Sequence, residues 1–106
     1  MACLQHLDVS GNQLVRLPDS LGDLPQLVEL AVRNNQLTHL PASLGGVASL
    51  RRLDLRGNQL RALPTSLGEL PHLEQVDLRW NKLVGTSEAV SRLEQRGCRV
   101  LTDTRF

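Results

Sequence analysis

The sequence has no tyrosine, and only one tryptophan, one phenylalanine and one methionine. A core packed around large aromatic rings is therefore excluded. Cysteine is nearly absent too: Cys3 and Cys98 sit near opposite ends of the chain, without CxxC spacing. They supply neither a disulfide framework nor a zinc site. No charge predominates, with 12 Lys+Arg against 11 Asp+Glu. General nucleic-acid and membrane-surface binders carry a basic excess, so this balance argues against both. No apolar run approaches the roughly 18 residues of a membrane-spanning helix. Met1-Ala2-Cys3-Leu4-Gln5-His6 lacks the basic-then-apolar order of a secretory signal, and no Asn-x-Ser/Thr sequon occurs. These absences set the expectation of a reducing, cytoplasmic setting. A length of 106 residues leaves room for one domain.

Leucine is what the chain has in abundance, 23 residues of it. Leu4, Leu27, Leu50 and Leu73 are 23 positions apart, as are Asn12, Asn35, Asn58 and Asn81. Pro18, Pro41 and Pro64 keep the same period, and so do Leu21-Gly22, Leu44-Gly45 and Leu67-Gly68. The unit reads LxxLxLxxNxLxxLPxSLGxL, with Val9, Val32, Val47 and Val76 replacing leucine. Four units, starting near 4, 27, 50 and 73, span residues 4–85. A period of this length marks stacked units, none of which buries its leucines alone.

Within a unit, Leu50 to Arg56 alternates apolar and polar residues, the pattern of a strand buried on one face. Gly57-Asn58-Gln59 supplies turn chemistry, and Leu60, Leu63 and Leu67 point inward on the return. Pro64 holds Leu63 extended and prevents a long helix there. Stacked units place such strands side by side, joined by right-handed crossovers.

This repeat resembles the leucine-rich repeat family in its 23-residue intracellular form, as in Ras-suppressor-type and bacterial cytosolic proteins. The resemblance implies an α/β fold, a right-handed solenoid with a parallel sheet on its concave side. Short extended or single-turn helical segments form the convex side. It places the repeated asparagines inside the coil, bonded to turn backbone groups, as an interior amide requires. It further implies a non-enzymatic module that binds a protein partner on the concave sheet, without a cofactor.

After Leu83 the pattern breaks. Residues 86–101 read as a C-terminal cap, with Thr86 or Ser87 capping a helix and Glu88 in its first turn. Ala89, Val90 and Leu93 form the apolar face, Arg96 complements the helix end, and Gly97 lies just past it. Cys98, Val100 and Leu101 predict a short closing strand with Cys98 buried, and residues 102–106 a tail. No comparable cap precedes Leu4, which leads straight into the first strand. The expectation is that the chain is the C-terminal piece of a longer protein. Self-association through the open first repeat is a second use of that edge.

Strand alternation stacks the side chains of successive units in columns. His6, Glu29, Arg52 and Gln75 form one; Asp8, Ala31, Asp54 and Asp77 the next. Ser10, Arg33, Arg56 and Arg79 form a third, and Gly11, Asn34, Gly57 and Trp80 a fourth at the strand edge. Acidic and basic columns side by side can pair with each other, or can meet a partner. The partner-binding candidates are Trp80, Arg79, Arg56, Arg33, Arg52, Asp54, Asp77 and Glu29. Trp80 is the sharpest of them, an aromatic where other units have Gly or Asn; alternatively it packs over Arg79, Lys82 or the cap.

Catalysis finds little support. His6, Asp8 and Ser10 share one strand face, but Asp lies between the other two and the spacing forbids a triad. His39 and His72 fall in other sectors of the coil, and neither GxxxxGK[ST] nor GxGxxG occurs. The alternative functional reading is a C-terminal targeting or regulatory segment of a larger signalling enzyme, a kinase, GTPase or ubiquitin ligase. Nucleic-acid binding through Arg33, Arg51, Arg52, Arg56 and Arg79 is weaker, because Asp54, Asp77 and Glu74 interrupt the patch.

Overall fold

The structure is a computed structural model that describes residues 4–24, 26–84 and 88–102. Cys3, Gly85, Thr86, Ser87 and the tail from Asp103 lie outside the described residues, including both helix-capping candidates. Five strands run parallel in sequence order: β1 (His6–Asp8), β2 (Glu29–Ala31), β3 (Arg52–Asp54), β4 (Gln75–Asp77) and β5 (Arg99–Leu101). Their register is in step with the repeat, His6 opposite Glu29, Glu29 opposite Arg52, and Arg52 opposite Gln75. The columns read from the sequence are thus the columns of the sheet.

The strands are three residues long, shorter than the alternation over Leu50–Arg56 predicts. The reason lies in the coil's tight perimeter. Asp54 ends the strand because Arg56 already belongs to the turn, its backbone N–H bonded to the Asp54 carboxylate at 3.3 Å. Cross-coil bonding nevertheless continues past the strand, as in Leu55 N–H to Asp77 C=O at 2.9 Å.

On the opposite side each coil makes one 3-10 turn, at Asp19–Asp23, Ala42–Gly46 and Thr65–Glu69. Proline precedes each with φ near −70°, so its ring sets the extended entry. Glycine then lets neighbouring turns touch. A Cβ on Gly45 would lie 2.6 Å from the Ser66 Cβ, closer than atoms can pack. Ser43 Oγ donates to Asp19 C=O at 2.9 Å and Ser66 Oγ to Ala42 C=O at 3.0 Å, tying the convex side together.

Between the two sides lies a column of leucines. Leu30, Leu37, Leu50, Leu55, Leu60 and Leu67 have no exposed surface. Each such side chain contributes roughly 2 kcal/mol of burial. The asparagines bridge coils as the fold requires. Asn58 Oδ1 accepts from Leu37 N–H at 3.1 Å, and its Nδ2 donates to Val32 C=O and Leu55 C=O, both at 3.0 Å. Asn35 and Asn81 repeat the pattern with the coil before each. Asn12 departs from expectation: it is exposed, and among the described residues its side-chain amide bonds only its own coil, at Val9 C=O and Ser10 C=O. It has no earlier described coil to bridge.

Helix α1 (Glu88–Gln95) and β5 close the other end. Ala89 and Leu93 are fully buried against the third 3-10 turn, with Val90 partly covered. Gly68 permits this approach, since its Cβ position lies 3.1 Å from the Ala89 Cα. Arg96 does not serve the end of its own helix. Its Nη1 instead donates to Gly68 C=O at 2.8 Å and Leu70 C=O at 3.1 Å, pinning the helix to the coil. Gly97 turns the chain with φ of +90°, and Cys98 is buried beyond it. Burial, and then the nearby Glu94, push the Cys98 thiol above its ordinary pKa.

Candidate functional site

The concave sheet face forms an open groove of about 420 Å³. Glu29, Arg33, Arg52, Asp54, Arg56, Asp77 and Arg79 all line it, so seven of the eight residues expected to bind come together. Trp80 is outside that lining and stands exposed beyond the strand end. Asp8 and Ala31, passed over as candidates, belong to the groove as well.

Along its first edge, Glu29 sits between two partners. Its Oε1 is 2.9 Å from His6 Nδ1 and its Oε2 is 3.5 Å from Arg52 Nη1. His6 thus faces Glu29, while Asp8 accepts from the Ser10 backbone N–H at 3.0 Å. Asp8 pairs with Ser10 and His6 with Glu29, so the three do not form a relay from histidine to serine.

The centre of the groove is a ladder of charge pairs. Arg56 lays its guanidinium along Asp54, Nε to Oδ1 at 3.0 Å and Nη2 to Oδ2 at 2.9 Å. Arg79 does the same with Asp77, at 3.0 and 2.7 Å. Arg56 Nε also reaches Asp77 Oδ2 at 3.2 Å, joining the rungs. Two-toothed contacts of this kind are the strongest that Arg makes with a carboxylate. Burial tends to raise the Asp77 carboxyl's pKa, but the Arg79 side chain and backbone donors and the Arg79 and Arg56 charges together hold it below the usual range. Hydrogen bonding to Asp54, foremost, raises the pKa of Arg56. At Asp8 the bonds from Ser10 side chain and backbone lower the carboxyl's pKa, with a smaller contribution from Arg33.

The second rung differs. Ala31 stands where β1, β3 and β4 carry aspartate. Arg33 therefore lacks the carboxylate two residues earlier that Arg56 and Arg79 have. It leans towards the flanking rungs, with Nε 3.4 Å from Asp54 Oδ2 and Nη2 4.0 Å from Asp8 Oδ2. The approach to Asp54 is close enough for charge attraction but does not make a hydrogen bond, and among the described residues the buried Nε–H has no acceptor.

The fourth column has its own chemistry. Gly11, Asn34, Gly57 and Trp80 all have positive φ, at 74°, 57°, 71° and 62°. The turn after each strand demands left-handed backbone, which glycine adopts freely and asparagine tolerates. A bulky aromatic there is an outlier. Trp80 is nevertheless 63% exposed, so most of its surface contributes no burial against that strain. The Arg79 guanidinium lies 6.0 Å from the centre of its ring, within the range of cation–π attraction. The alternative contact with Arg79 is thus present, yet it leaves most of the ring in solvent.

The family description "Leucine rich repeat" matches residues 25–83, and a second description of the same name matches residues 3–24. Among solved structures, a leucine-rich-repeat protein of Leptospira interrogans superposes with a TM-score of 0.81 at 32% identity. That match covers 92% of this chain but 25% of the other, so the chain spans about a quarter of the solved protein's length. Comparison with curated proteins gives no match. Modules of this type generally mediate protein–protein interaction and are typically non-enzymatic. With its repeat, its register and these likenesses in agreement, the chain belongs to the leucine-rich repeat family.

Proposed function

We propose that this chain is a non-enzymatic docking module that takes a protein partner on its concave sheet, with Trp80 as the rim anchor. The observation that carries the reading is the backbone of Trp80. A left-handed conformation costs a non-glycine residue roughly 1–2 kcal/mol. Asn34 meets the same turn with a residue suited to it. Trp80 bears the cost while holding a large apolar ring out to solvent beside Arg79. Strain at an exposed aromatic is understandable when the ring is needed elsewhere, and tryptophan and arginine dominate binding hot spots.

The groove supplies the rest of the surface, through Glu29, Arg33, Arg52, Asp54, Arg56, Asp77 and Arg79. Because aspartates engage Arg56 and Arg79, the face presents alternating charge rather than a basic track. That favours a protein surface over nucleic acid or an anionic membrane. No helix among the described residues is long and apolar enough to cross a membrane. In this reading residues 4–85 form four repeats of the 23-residue intracellular type, 86–101 their cap and 102–106 a tail. A buried, unpaired Cys98 thiol fits a cytoplasmic setting.

Affinity capture from the native source, comparing the wild type with Trp80→Asn and Arg56→Glu, tests the proposal. The Trp80→Asn protein should fold and lose the partner by about thirtyfold or more, the weight of a hot-spot aromatic. A folded Trp80→Asn protein that retains its partner at full strength removes the anchor.

A further inference from the structure

The groove contains one rung that the protein leaves incomplete. β3 and β4 each present an Asp–x–Arg unit in which the carboxylate receives two hydrogen bonds from the arginine. β2 presents Ala31–x–Arg33 at the same register. The vacancy has local consequences. In β3 the Arg56 backbone N–H bonds Asp54, whereas the Arg33 backbone N–H turns to Ser10 Oγ at 3.0 Å. That leaves the Arg33 side chain, 40% exposed, with charge contacts to Asp54 and Asp8 but no hydrogen bond from its Nε.

We infer that this rung is completed by a partner's carboxylate: an aspartate or glutamate side chain lies over Ala31 and is gripped by Arg33. The inference rests on the concave face being the docking surface, and it names the chemistry the partner brings there. Three observations support a carboxylate in particular. Its position repeats that of Asp54 and Asp77, so the ligand would extend a pattern already built from this group. Nε is occluded at the side of Asp54, which leaves the two outer nitrogens to take the oxygens end-on, a geometry planar carboxylates fit. And Asp8, Glu29 and Asp54 alternate with Arg33, Arg52 and Arg56 along the groove, so the site has no excess of positive charge to balance a dianionic phosphate.

The neighbours also account for selectivity. Arg56 and Arg79 have their own aspartates, so an incoming acid gains less from them than from Arg33. The second rung is therefore where an acidic residue fixes the position of a partner along the groove. A neutral side chain entering there would offer the outer nitrogens of Arg33 at most one uncharged acceptor in place of two charged oxygens.

The test uses the chain as it stands and three short acetylated and amidated peptides: Gly-Glu-Gly-Glu-Gly, its glutamine counterpart and its phosphoserine counterpart. Arginine side-chain resonances are followed by NMR during titration. The glutamate peptide should shift Arg33 saturably and ahead of Arg56 and Arg79, and the glutamine peptide should not. Ala31→Asp supplies the missing carboxylate internally and should weaken the glutamate peptide at least about tenfold, the weight of one charge-assisted pair. Arg33→Gln should weaken it equally, and serves if Ala31→Asp folds poorly. Undiminished binding in both variants, equal shifts at all three arginines, or tighter binding of the phosphoserine peptide would each overturn the inference. The rim anchor is judged by partner capture with Trp80→Asn and this site by the peptide titration, so failure of one and failure of the other are read separately.

Discussion

The first and third coils use nearly the same residues to different effect. In the third, Leu53, Leu55 and Leu60 are buried and Asn58 is 4% exposed. In the first, Leu7, Val9 and Leu14 are only partly covered and Asn12 is exposed. The motif is common to both; the difference is that the third coil has a described neighbour on each side and the first on one. Burial in this fold is thus a property of the stack, as expected where each unit contacts only its neighbours. A residue's weight follows from its rung as much as from its identity.

The largest test of that comparison is cavity formation. Leu53→Ala should cost about 3 kcal/mol, in line with a fully buried leucine, and Leu7→Ala roughly half as much. Denaturant melts of the two variants decide it, and equal losses would show that the first coil is buttressed as firmly as the third. Next comes the asparagine pair. Asn58→Ala strips partners from buried backbone groups of two coils and should cost about 2–3 kcal/mol, against about 0.5–1 for Asn12→Ala. If the two cost the same, the bridging bonds carry little of the stability.

The carboxylates extend the comparison to pH. Asp77 has a folded pKa below its ordinary 3.8. The unfolded chain then binds its proton more readily, so the stabilisation is complete above pH 3.8 and fades as pH falls through the folded value. Asp77→Asn should lower stability at neutral pH and flatten this acid limb in thermal melts. Asp8 is shifted the same way, but its side chain is 62% exposed against 7% for Asp77. Asp8→Asn should therefore change the melts less, and added salt should erase more of its effect. The smallest expected change is a gain: Trp80→Asn should raise stability by up to about 1 kcal/mol, as strain is relieved and a modest ring contact is lost. Asn34→Trp, the reverse change at an equivalent turn, should lower it.

Much of this architecture is legible from spacing alone. The period places His6, Glu29, Arg52 and Gln75 in register, puts Leu60, Leu63 and Leu67 inside, and announces a helix and a closing strand after Leu83. What spacing does not reveal is backbone handedness. Gly11, Asn34 and Gly57 signal a left-handed turn, yet the aromatic at position 80 draws attention to its exposure rather than its φ. Nor does the pattern say how charges divide. Ala31 breaks the aspartate column in the sequence itself, but only with distances available is it clear that Asp54 and Asp77 each hold their own arginine while Arg33 Nε lacks an acceptor among the described residues. Arg96 illustrates the same limit: local sequence assigns it to its helix end, while packing brings Gly68 and Leu70 carbonyls within its reach.

The asparagine bridges also give the molecule a polarity. Asn35 secures backbone of the first coil, Asn58 that of the second and Asn81 that of the third; every interior amide reaches backward. A coil therefore depends on its successor for closure of its turn. Loosening the first coil leaves the later clasps intact, whereas releasing Asn81 opens the third coil from behind. Slow amide exchange should accordingly centre on the second and third coils, and the two ends of the solenoid should come apart by different routes.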